Sequence, residues 1–226
     1  MPGLKNAPLS TISDIYRNRF DEKALHQKNQ VWRIICREYL QKFIAPSASV
    51  VDLGAGTCEF INNITCSKKY AVDLNPDTAN FAAEGVQVIK ANPDAPLELD
   101  DGAVDVVFAS NFFEHLSSRQ QIIDMLADIR RVLAPNGKLI VVQPNIKYLY
   151  THYWDYFDHQ IALSDESMRE AIVAAGLIVE VLKGRFLPYT FRSRFPKGSF
   201  FVKTYLRFPC FHRIFGKQMF IVARKP

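Results

Sequence analysis

Two glycines and two carboxylates stand at a spacing that can hold a ligand bearing both a cation and a sugar. Val50-Val51-Asp52-Leu53-Gly54-Ala55-Gly56-Thr57 is an apolar run breaking into a glycine turn. Asp73 ends a second apolar run, Tyr70-Ala71-Val72-Asp73, 21 residues after Asp52. Glycines let a backbone turn tightly and approach a ligand closely. A carboxylate ending the next strand can accept hydrogen bonds from both hydroxyls of a ribose. A dinucleotide-binding turn has glycine at the sixth position of G-x-G-x-x-G. Here that position is Glu59, whose charge repels a pyrophosphate. Asp52, just before the turn, suits a ligand carrying an ammonium group.

Further along, Glu114-His115 and Tyr153-Trp154-Asp155-Tyr156-Phe157-Asp158-His159 carry groups able to move a proton. Histidine is the usual general base near neutral pH. His159, oriented by Asp158, is the first candidate base and His115 the second. The flanking aromatic side chains can stack on sugar rings while the carboxylates bind hydroxyls. A metal reading of His152, Asp155, Asp158 and His159 matches no recognised ligand spacing, so no metal site is expected.

These groups need a scaffold. Short apolar runs at 49–53, 70–73, 86–89, 104–109, 139–142, 177–181 and 219–223 read as strands. Helical patterns lie between them. Val31, Ile34, Ile35, Leu40, Phe43 and Ile44 form an imperfect stripe that Pro46 ends. A helix is expected from Glu59 to Ile64, offering free N–H groups at its start. Ile122, Ile123, Leu126, Ile129 and Leu133 share one face, and Ser164 caps a helix carrying Met168, Ala171, Ile172 and Ala175 that Gly176 stops. Alternating strands and helices imply right-handed crossovers and a mostly parallel sheet. Ligands of such sheets bind beyond the carboxyl ends of the strands, where the strand order reverses.

The stretches VVDLGAGTCEF, AVDLNPD, GAVDVVFASNFFEHL and RRVLAPNGKLIVVQPN together resemble a class I S-adenosylmethionine-dependent methyltransferase over about residues 45–183 and the final strand. With YWDYFDH, RFLPYT and FGKQMFIVARKP, the chain is similar to a bacterial branch linked to cell-surface glycan assembly. The resemblance implies an α/β, Rossmann-like three-layer sandwich on a mostly parallel seven-stranded sheet with an antiparallel last strand. It implies S-adenosylmethionine as cofactor, a donor with an ammonium, a carboxylate and a ribose but no phosphate. Asp52, Gly54 and Gly56 match the loop along the methionine moiety, Asp73 the ribose carboxylate, and Leu74 the apolar neighbour of the adenine. Asn92 stands where an Asp often faces the adenine amino group, Ser110 lies beneath the methyl, and Cys58 replaces a frequent third glycine. Within this family D/N-P-P-Y marks methylation of exocyclic amines. Ser110-Asn111-Phe112-Phe113 departs from it, and Pro209-Cys210 is misplaced for attack on a cytosine ring. The expected reaction is transfer to an oxygen of a small or glycan-type acceptor, such as a sugar hydroxyl on a nucleotide or lipid.

The 226 residues are 48% hydrophobic and 23% charged, as in a folded protein rather than a disordered chain. Four scattered cysteines and no long apolar run suit a cytoplasmic location. The formal charge of +5 is uneven: residues 185–217 hold eight basic and no acidic side chains, leaving −3 for the remainder, and ten of the 28 aromatics. The expected organisation is an N-terminal helical cap (1–45), a cofactor-binding domain (46–184 plus 218–226) and a basic aromatic insertion (185–217). Tyr16, Arg17, Arg19 and Phe20 of the cap are candidates to reach the donor or acceptor. The insertion suits a lid over a phosphorylated or lipid-linked acceptor, peripheral contact with the inner face of a membrane, or a helical hairpin packed on the sheet; nucleic acid is the weaker reading. The alternative to an enzyme is a non-catalytic module docking partners through this segment.

Overall fold

A computed structural model describes residues 22–90, 95–189 and 198–226. Its centre is a seven-stranded sheet in the order β3-β2-β1-β4-β5-β7-β6. The strands are β1 (Ser49–Leu53), β2 (Lys68–Asp73), β3 (Val86–Lys90), β4 (Val104–Ser110), β5 (Leu133–Pro144), β6 (Ile178–Lys183) and β7 (Gln218–Arg224). All seven expected strands form. β1 to β5 pair in parallel, and β7 lies between β5 and β6, antiparallel to both. Order reverses between β1 and β4, so their carboxyl ends frame the cleft such sheets use for ligands.

Helices cover both faces. Helix α1 (Glu22–Ile35) runs into a π-turn at Cys36–Leu40 and a 3-10 turn at Gln41–Phe43, so the expected stripe closes just before Pro46. It shares one apolar layer with Val50, Phe108, Val142 and Phe220 of the sheet. The 185–217 segment enters the same layer. Phe186, Val202, Tyr205 and Leu206 are buried there, with Phe186 and Tyr39 ring centroids 4.6 Å apart. The opposite layer is closed by α3 (Arg119–Val132), whose Ile122, Met125, Leu126 and Ile129 point inward, and by α5 (Asp165–Ala174) with Met168 and Ile172; the single-turn helices α2 (Thr78–Phe81) and α4 (Ile146–Leu149) are connectors. Ser164 caps α5 through a reciprocal bond pair with Ser167, and Gly176 takes φ +79° just beyond its end.

One expectation is corrected. The helix expected over 59–64 is a single 3-10 turn, Ile61–Asn63. Its asparagines are committed elsewhere: Asn62 donates to the Phe81 carbonyl and accepts from Ala83, and Asn63 donates to Asn29. Side chains that bond to distant groups compete with a local helix. The helix dipole anticipated there is therefore not formed. The basic segment holds two helices, α6 (Ser199–Arg207) and α7 (Pro209–Phe215), and Pro209 begins the second where its missing N–H costs nothing.

Candidate functional site

The glycine loop leaves β1 and folds back over β2. Gly54 and Ala55 N–H groups both donate to the Val72 carbonyl, at 2.8 and 3.2 Å. Gly54 has φ +72°, and a Cβ there would stand 2.8 Å from Phe112 Cδ2. That position needs glycine twice over, for the backbone angle and for contact with the chain leaving β4. Gly56, φ +52°, would direct a Cβ into open space. Cys58 takes the left-handed backbone as well, φ +59°, with its side chain fully buried. The loop thus follows a path that usually asks for glycine, while the thiol turns inward, its pKa pushed up to about 12 by burial.

Asp73 sits beside this loop. Its Oδ2 accepts from Gly56 N–H at 2.6 Å and its Oδ1 from Asn75 N–H at 2.8 Å. Each carboxylate oxygen accepts about two bonds, so both retain capacity for a ribose diol. The neighbouring Leu74 is 53% exposed, an apolar surface next to that carboxylate. Asp52 is 3% exposed and its Oδ2 accepts from Ile61 N–H at 3.3 Å. Burial pushes its pKa up to about 8. Glu59, also buried, pairs with Lys28 Nζ at 2.9 Å and accepts from the Thr57 hydroxyl. Helix α1 is thereby tied to the glycine loop, a link that residues 31 positions apart do not announce in sequence. Asn92 and the cap residues Tyr16, Arg17, Arg19 and Phe20 lie outside the described residues.

At the end of β4, Ser110 Oγ is buried without a hydrogen-bond partner among the described residues. Asn111 turns the chain with φ +49° and accepts from Gln218 Nε2 at 2.8 Å. Three residues on, a polar cluster forms. His115 Nδ1 lies 2.9 Å from the Asp158 carbonyl oxygen and 3.5 Å from its carboxylate. The two imidazole rings, His115 and His159, meet edge to face at 5.3 Å. His159 is buried against Tyr156, ring centroids 5.3 Å apart and nearly parallel, and against Tyr153, and its Nε2 lies 3.3 Å from the Tyr189 hydroxyl. The structure thus brings His115, Asp158 and His159 together, and the carbonyl and carboxylate of Asp158 both face His115 Nδ1. His152 pairs with Asp155 at 2.9 Å, both exposed.

Two members of the cluster were not anticipated as functional. Glu114 is fully buried, and burial pushes its pKa up to about 7. Its signal in sequence is an acid beside His115, set between apolar Phe113 and Leu116. Tyr189 comes from 30 residues beyond His159, and nothing local marks it.

Residues 51–141 match the family described as methyltransferase domain. No curated protein sequence matches the chain. Solved structures with similar coordinates include a chain from the complex between the Haloferax volcanii Trm112 methyltransferase activator and a methyltransferase, with TM-score 0.70 and 18% identity over 97% of this chain and 100% of that one. Another is a SAM-dependent methyltransferase from Archaeoglobus fulgidus, TM-score 0.65 and 20% identity, covering 91% and 100%. A third is geranyl diphosphate C-methyltransferase from Streptomyces coelicolor, solved with Mg2+, geranyl diphosphate and S-adenosyl-L-homocysteine, TM-score 0.59 and 17% identity, covering 84% and 78%. At these identities the likeness establishes the fold. Residues 51–141 thus match a methyltransferase domain, and the chain has the Rossmann-like fold of these methyltransferase structures.

Proposed function

We propose that the methyl group goes to an oxygen of a small or glycan-type acceptor, a sugar hydroxyl carried on a nucleotide or a lipid. When bound, S-adenosylmethionine supplies an electrophilic methyl on a sulfonium. Asp73 and Leu74 would hold its nucleoside, Gly54 and Gly56 would lie along its methionine moiety with Asp52 near its ammonium, and Ser110 would lie toward the methyl. Asn92 is proposed for the adenine on sequence grounds alone.

The observation that carries the acceptor reading is the cluster of half-buried His115 with buried Asp158 and His159, walled by Tyr153, Tyr156 and Tyr189. A hydroxyl is a weak nucleophile and must give up its proton as the bond to carbon forms. His159 and His115 are the groups we place at that proton, with Asp158 positioning His115. Aromatic walls exclude water, which favours a step in which opposite charges combine.

Exposed basic and aromatic side chains on α6 and α7 favour an acceptor, or a surface, that is anionic. Lys203, Arg207 and Arg213 stand beside exposed Phe200, Phe201, Phe208 and Phe215. A lipid-linked acceptor at a membrane face satisfies both observations. The test is incubation with methyl-labelled cofactor and extracted nucleotide-sugars, glycolipids and RNA. Label is expected in an O-methylated sugar, with turnover reduced at least 100-fold in His159→Ala. Label confined to RNA or to nitrogen atoms overturns the acceptor class.

A further inference from the structure

We propose that Glu114, His115 and His159 form a binding site for one divalent transition-metal ion beside the acceptor. Each residue offers one ligand atom, and the three atoms lie within 4.8 Å of one another. Glu114 is fully buried, and neither carboxylate oxygen has a hydrogen-bond partner in any other described residue. Burying such a group without a partner is costly, and a cation offsets that cost directly. His115 is held as a ligand is held. Its Nδ1 faces the carbonyl and carboxylate of Asp158, so that nitrogen carries the proton, and Nε2 faces Glu114 Oε1 at 3.9 Å. Backing of this kind fixes the tautomer and raises the basicity of the coordinating nitrogen.

Two imidazoles and one carboxylate suit zinc, cobalt or iron(II) better than magnesium or calcium, which prefer oxygen throughout. With bonds of about 2.1 Å, ligand atoms around a tetrahedral ion stand roughly 3.4 Å apart, so the three must draw together through small side-chain rotations. Three protein donors leave at least one position open, the pattern of an ion that handles a reacting oxygen rather than one that staples a fold. The site adjoins the donor loop through Phe112, which packs on Gly54 only two residues before Glu114. Its chemical role rests on the oxygen-acceptor reading: a hydroxyl on the open position would lose its proton to solvent more readily, and with the ion bound His115 and His159 would serve as ligands in place of the base. Spacing within residues 152–159 gave no hint of the site, because two ligands follow β4 and the third follows β5.

The test is direct. Tag-free full-length protein, stripped with chelator, is titrated with Co2+ and Zn2+ by calorimetry, and the cobalt form is read by visible absorption. One equivalent is expected, with d–d bands of a low-coordinate nitrogen–oxygen site. Glu114→Gln and His159→Asn should each weaken binding at least tenfold, whereas His152→Ala should leave it unchanged. Absence of stoichiometric binding to the wild-type protein overturns the site, whatever the variants do. So does binding unaffected by both substitutions. Metal binding with labelled product only on nitrogen or RNA upholds the ion site and overturns the oxygen acceptor, so the two readings fail separately.

Discussion

Asp52, proposed to lie near the ammonium of the donor, is already committed to its own loop. Its carboxylate caps the Ile61 N–H from inside the protein, and burial moves its pKa from 3.8 to about 8. The folded state therefore favours the protonated acid. For such a group, stability is fully present below the unfolded pKa and is lost as pH rises through the folded one. Without donor, the contribution of Asp52 should thus decline between about pH 4 and pH 8. Asp52→Asn keeps an acceptor for Ile61 and removes the charge. Its stability relative to the native chain, measured by urea unfolding of the donor-free protein, should rise across that window; a flat difference would show that Asp52 ionises normally. The type of residue at 52 was evident from its place before a glycine turn. Its direction was not, because a strand residue's exposure depends on what lies over it.

At the scale of elements, α1 matters as a clamp on the glycine loop. Lys28 reaches both Glu59 and the Thr57 hydroxyl, and Asn29 receives Asn63. The Lys28–Glu59 pair is mostly out of solvent, so removing one partner leaves the other poorly compensated. Lys28→Ala should cost about 2 kcal/mol, and the added loss from Glu59→Gln in that background should be small. Chemical unfolding of the double-mutant cycle checks both. Additive effects would mean the pair contributes nothing. The stripe that marks α1 was legible from periodic apolar residues, whereas the lysine that works was hidden on its polar side. The failed expectation of a helix over 59–64 has the same root: Asn62 and Asn63 find partners only once α1 and the 81–83 turn are in place.

For the whole molecule, the basic aromatic segment is both core and surface. Phe186, Val202, Tyr205 and Leu206 close one layer of the sheet, while Phe200, at 74% exposure, and Phe201 face outward with Lys203 and Arg207. Among the described residues no helix is long and apolar enough to cross a membrane. An interfacial segment instead combines inserted aromatics with basic side chains. Co-sedimentation should show binding to anionic vesicles that weakens with salt and falls several-fold in Phe200→Ser/Phe201→Ser; equal binding to neutral vesicles, or none at low salt, would exclude this role. The seven strands, the glycine turn and the 52/73 pair of carboxylates were legible in sequence alone, because short apolar runs and glycine act locally; their order in the sheet came from the structure. The tertiary structure alone decided that Glu114, His115, Asp158, His159 and Tyr189 meet, since loops after three different strands bring them together and no local interaction encodes that meeting.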